Sequence, residues 1–161
     1  MNKTLAAIAV AVAATSVQAA PTYVGSYQVD AGPYWGSNPP VYSATEAAAL
    51  LFGGVASDYD ISTLGTDALL IDHLGWYSIW GVGGGTKFNE DYSFSTCGGG
   101  YNCGSNNSAA SAYVRDNATG EQYTNYVFRV DAGNTVPEPA TLSVVALGLL
   151  GAAAARRRAQ R

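Results

Sequence analysis

Residues 110–130 read ASAYVRDNATGEQYTNYVFRV, and this stretch decides the fold class. Apolar and polar residues alternate over 110–115 and again over 122–130, which is the period of a half-buried strand. Between them lies Asp116-Asn117-Ala118-Thr119-Gly120, with a glycine where a turn needs positive φ. The pattern predicts a β-hairpin. Upstream, TYVGSYQV (22–29) has the β-branched and aromatic content of a strand. Residues 76–82 (WYSIWGV) read as a strand or a packed loop ended by Gly83-Gly84-Gly85, and Asp91 to Ser95 alternates again.

The exception to the β pattern is SATEAAALLF, residues 43–52. Ser43 and Glu46 have capping-box spacing. Ala47, Leu50 and Leu51 fall on one helical face, and Gly53 can close the last turn. Ile61, Leu64, Leu69, Leu70, Ile71 and Leu74 are the expected core. The prediction for residues 20–135 is mainly β: a small sheet or sandwich domain carrying one short helix.

Charge narrows the function. Within residues 21–135, Lys87, Arg115 and Arg129 are the only cations, against eleven carboxylates. Nucleic-acid binding needs clustered Lys and Arg, so it is excluded as a partner class. The body is rich in tyrosine and holds Trp35, Trp76 and Trp80. Such rings pack sheet faces while a hydroxyl or indole N–H meets water. The sharper alternative is a platform on which sugar rings stack.

Candidate chemistry is sparse. Cys97 and Cys103 bracket a glycine-rich loop, and in an exported chain with two cysteines a disulfide is expected. His73 is the lone histidine, with Asp72 beside it. A triad would need a nucleophile in reach, so His73 is expected to be structural. Asp58 and Asp60 would share a face on a strand, and Glu90-Asp91 is a second acidic pair. Calcium would suit such oxygen ligands, but no DxDxDG loop is present. Glycoside hydrolysis by Asp58 or Asp60 would need two facing carboxylates across a cleft. The expectation is a non-enzymatic protein with no catalytic set, no cofactor and no metal site.

The two ends differ from the body. Met1-Asn2-Lys3, an apolar run from Leu5 to Ala14, and Val17-Gln18-Ala19 lay out a secretory signal peptide over residues 1–19, cleaved after Ala19. At the other end, Val136-Pro137-Glu138-Pro139 blocks helix and marks a stop. Residues 140–155 carry no charge and, as a transmembrane helix, would run about 24 Å. That is short of the ~30 Å hydrocarbon core, a gap that snorkelling arginines can close. Arg156, Arg157, Arg158 and Arg161 then hold the end in the cytoplasm, placing the body outside.

Proline stop, hydrophobic helix and basic end, in that order over residues 136–161, resemble the PEP-CTERM sorting signal, a tail also grouped under the label of an ice-binding protein C-terminal domain. The resemblance implies recognition and processing near Val136–Pro139 by an exosortase, in a Gram-negative host that makes exopolysaccharide. It implies transient anchoring in the inner membrane, then release to the envelope or outside. Nothing in it implies ice binding: the body lacks the Thr-x-Thr repeats of a flat ice-facing array. Exopolysaccharide is the expected partner if the aromatic residues bind sugar.

Overall fold

The aromatic, alternating segment TNYVFR forms strand β7 (Thr124–Arg129), which lies at the centre of a three-stranded antiparallel sheet. A computed structural model describes residues 20–102 and 104–130. β7 pairs on one side with β1 (Thr22–Gln28) and on the other with β2 (Tyr59–Ser62). The second sheet is built around β3 (Leu74–Ile79). It is flanked by β4 (Val82–Asn89) and β6 (Ala109–Ser111), with β5 (Phe94–Ser95) on the outer side of β6. All pairings between these strands are antiparallel. Among the described residues the fold is mainly β, with one α-helix, α1 (Ala44–Phe52).

The predicted hairpin over 110–130 does not form. β6 belongs to the second sheet and β7 to the first. Each segment finds a long-range partner that buries its apolar face: β6 on β3 and β5, and β7 on β1 and β2. The Asp116–Gly120 segment is a crossover between sheets. Its Asp116 carbonyl accepts from Ser78 Oγ, buried at 2.7 Å.

Helix α1 starts and stops as its caps dictate. Ser43 Oγ accepts from the Glu46 N–H, and the Ser43 N–H donates back to Glu46 Oε2 at 2.8 Å. Gly53 ends the helix at φ +81°. Of the predicted face only Ala47 is buried: the buried side consists of Ala44, Thr45, Ala47 and Ala48, while Leu50 and Leu51 are exposed. Small residues let the helix approach the sheets closely. At Gly75 of β3, an added Cβ would stand 2.6 Å from the Ala44 methyl.

The core is likewise less aliphatic than expected. Of the six predicted core residues, only Ile61 is fully buried; Leu64, Leu69 and Leu70 are exposed, Leu69 at 88 %. Residues 63–73 form a connection outside both sheets, where Ile71 is only half-buried and the leucines lie exposed. Tyrosine fills the interior. Tyr27, Tyr59 and Tyr77 join Ala44, Ala47, Ala48, Ile61, Ala110, Ala112 and Val127 in one cluster shared by the helix and both sheets. Each hydroxyl has a partner, as buried polar groups require. Tyr27 donates to the Ala44 carbonyl and Tyr59 to the Gly53 carbonyl. Tyr77 accepts from the Ala44 N–H and donates to the Asn89 carbonyl at 2.8 Å.

Two smaller expectations also change. Gly83-Gly84-Gly85 lies within β4 instead of ending the preceding strand, and the Tyr123 ring occupies the place where a side chain on Gly85 would stand. The predicted Asp91–Ser95 strand shortens to Phe94–Ser95. Among the described residues no helix is long and apolar enough to cross a membrane. The predicted signal helix and C-terminal transmembrane helix lie outside them.

Candidate functional site

Three side chains far apart in sequence meet where the two sheets adjoin. Asp60 lies on β2, paired with Phe128 of β7. The β3–β4 ladder places Leu74 opposite Asn89, and the residues just beyond, His73 and Glu90, continue it through Glu90 N–H to His73 carbonyl at 3.2 Å. Glu90 is held from three directions. Its carbonyl accepts from the Ala44 and Thr45 N–H groups at the start of α1, and shares the Tyr77 hydroxyl proton with the Asn89 carbonyl. Its Oε2 accepts from the Ile61 N–H at 2.6 Å, tying it to β2 beside Asp60.

The remaining oxygen, Glu90 Oε1, faces His73 Nδ1 at 3.2 Å, and Asp60 Oδ1 stands 3.9 Å from the same nitrogen. One ligating atom from each of the three side chains falls within 4.8 Å of the others. Asp60 and Glu90 are half-buried, and the His73 side chain is 56 % exposed. Burial pushes the Glu90 carboxyl above its ordinary range. The Ile61 N–H opposes this, the charge on Asp60 adds to it, and His73 counters. His73 itself adopts a left-handed backbone, φ +53°, which costs a non-glycine residue about 1 kcal/mol or more.

Sequence reasoning named these three residues without joining them. His73, expected to be structural, is exposed and faces Glu90 and Asp60, and Asp72 does not orient it. Asp72 instead accepts from the Thr63 N–H at 2.9 Å and hydroxyl at 2.6 Å. Burial would raise the Asp72 carboxyl, but Thr63, the Leu74 N–H and Lys87 outweigh it and hold the carboxyl below its ordinary value. Asp58 and Asp60 do not share a strand face: Asp58 sits in the turn before β2, where its Oδ2 accepts from the Val55 N–H. Asp91 is exposed beside Glu90. No signal in the sequence pairs β2 with the end of β4, so the cluster was illegible there.

The three tryptophans are half-buried and do not form one platform. Trp35 and Trp80 touch, with ring centroids 5.2 Å apart and planes tilted by 52°. Tyr34, exposed, extends this patch at 5.1 Å from Trp35. Below it lie Tyr101, Ala109 and Val114. Trp76 is elsewhere, edge-on to Tyr123 and under the Lys87 ammonium at 4.9 Å. The expected Cys97–Cys103 disulfide falls on Cys103, outside the described residues.

The comparison with curated proteins and the comparison with solved structures return no match. A family description does match: residues 135–158 fit the PEP-CTERM protein-sorting motif. This bears out the resemblance drawn from Val136–Pro139, the charge-free run and the arginines; the ice-binding label finds no support. The chain carries the PEP-CTERM sorting motif at its C-terminal end, and with it the mark of an exported protein that crosses the membrane on its way to the cell envelope.

Proposed function

We propose that this protein is a non-enzymatic component of the cell envelope or extracellular matrix, delivered by exosortase-type processing near Val136–Pro139. The carrying observation is the motif match at residues 135–158, directly beyond the strand that ends the described fold. The uncharged run at 140–155 serves as a temporary inner-membrane anchor and Arg156–Arg158 with Arg161 as its cytoplasmic stop. The body is then released or retained outside the inner membrane. Three carboxylates beyond the His73 cluster have structural duties that support a non-enzymatic reading: Asp58 caps a turn, Asp72 binds Thr63, and Asp116 accepts from the buried Tyr101 hydroxyl. Replacing Pro137-Glu138-Pro139 by three alanines should leave an unprocessed, membrane-retained chain, read by intact mass and membrane fractionation. An unchanged mature mass and location would sink the proposal.

A second reading is favoured by the contiguous Tyr34–Trp35–Trp80 patch, which has the partly exposed rings that stack on sugars. Full-length protein should then be pulled down by the producing cell's exopolysaccharide. Trp35→Ala or Trp80→Ala should weaken capture about tenfold, the scale of one aromatic contact, and Trp76→Ala should not. Equal capture of all three variants, or none of the wild type, would end this reading.

A further inference from the structure

We propose that Asp60, His73 and Glu90 form a binding site for one divalent transition-metal ion, with zinc as the best-fitting species. The argument begins with charge. Two carboxylates are held with ligating atoms inside a 4.8 Å cluster, and the ion-pair partner of both is His73 Nδ1, which compensates them only when protonated. Like charges at that spacing repel unless a proton or a cation lies between them. The fold nevertheless fixes the arrangement. The Ile61 N–H holds one Glu90 oxygen and leaves the other aimed at His73, while α1 and Tyr77 hold the Glu90 backbone.

Ligand type selects the ion. A neutral imidazole suits zinc, copper, iron and nickel, whereas calcium and magnesium take oxygen ligands in larger number. Bonds of ~2.0–2.1 Å in a tetrahedral zinc site put ligands about 3.3 Å apart. The His73–Glu90 separation of 3.2 Å already meets this, and the Asp60 side chain must rotate inward, from 3.9 Å to His73 and from within 4.8 Å to Glu90, to complete the set. The exposed side of His73 leaves the fourth position open to water or to a ligand from outside. The Ile61 N–H, donating to Glu90 Oε2, supplies the outer hydrogen bond that orients a ligating carboxylate. The site stands independently of the sorting tail and of the aromatic patch.

The test is calorimetric titration of the untagged full-length chain in detergent, stripped with chelator, using zinc chloride and separately calcium chloride. One zinc ion per chain is expected, with calcium at least tenfold weaker. His73→Ala and Glu90→Gln should each weaken zinc by ~100-fold, at the upper end of what even outer-shell changes cost. Asp91→Asn, at an exposed acid next door, should leave it unchanged. Asp60→Asn preserves shape and guards against a folding artefact, with circular dichroism of each variant recorded without metal. Its zinc affinity should also fall at least tenfold. Zinc bound equally by wild type and folded Asp60→Asn or His73→Ala overturns the site, as does calcium preferred over zinc or no zinc bound at all.

Discussion

Replacing Asn125 by alanine is expected to remove about 3 kcal/mol of stability, more than a hundredfold in the folded-to-unfolded ratio. Asn125 lies on β7 and is fully buried. Its Oδ1 accepts from the Trp76 N–H at 2.7 Å, and its Nδ2 donates to the Trp76 carbonyl at 3.1 Å. Trp76 is on β3 of the other sheet, on the edge where β6 reaches only as far as Ser78. One amide side chain therefore takes the place of a missing strand and joins the two sheets. Alanine leaves a backbone donor and acceptor without partners, each costing about 1–3 kcal/mol where water cannot replace the bond. Asn125→Asp is the sharper variant: it keeps the acceptor for the Trp76 N–H but turns a second acceptor toward the Trp76 carbonyl. Both variants should unfold at clearly lower urea, with the aspartate no better than the alanine. A loss below about 1 kcal/mol for Asn125→Ala would mean that the Asn125–Trp76 bonds are not what joins the sheets.

Gly32→Ala should be comparably severe for a different reason. Gly32 has an ordinary φ of -73°, so backbone strain is not the issue. Its missing Cβ would stand 2.4 Å from both the Tyr113 carbonyl carbon and the Val114 nitrogen. Those are backbone atoms, and they cannot swing away. The Val114 N–H donates to the Val29 carbonyl and the Arg115 N–H to the Pro33 carbonyl, both at 2.9 Å, so the two segments are bonded on either side of the contact. Overpacking usually costs about 1–3 kcal/mol, and the upper end is expected here. Because the same segment carries Trp35 to Trp80, tryptophan fluorescence should shift as well. Gly83→Ala is the comparison: an added Cβ there meets nothing within 4 Å and its φ is not positive, so it should cost less than about 0.5 kcal/mol. If the two substitutions cost the same, the close approach at Gly32 is not what holds this segment.

Local chemistry was legible in the sequence wherever local bonds decide the outcome. Helix α1 begins at its Ser43–Glu46 box and ends at Gly53 because a cap satisfies backbone groups within four residues. Strands β1 and β7 follow from their β-branched and aromatic content, and the sorting tail is legible because prolines, an uncharged run and arginines act in order along the chain. Partnership between distant segments was not legible. Alternation in residues 110–115 and 122–130 says that each segment has one face to bury, and it is silent on whether the two faces bury against each other. The leucines of 63–73 read as core by type alone, yet the tertiary structure leaves that segment outside both sheets and gives the interior to tyrosines whose hydroxyls find backbone partners.

The meeting of Asp60, His73 and Glu90 shows the same division. The sequence by itself determined that this chain is exported with a sorting tail and that its acidic, tyrosine-rich body is mainly β with one capped helix. Only the tertiary structure decided which strands pair, and so which carboxylates come to face one imidazole. Caps, turns and sorting signals are written within a few residues, whereas a three-residue site depends on long-range register, which no single segment specifies.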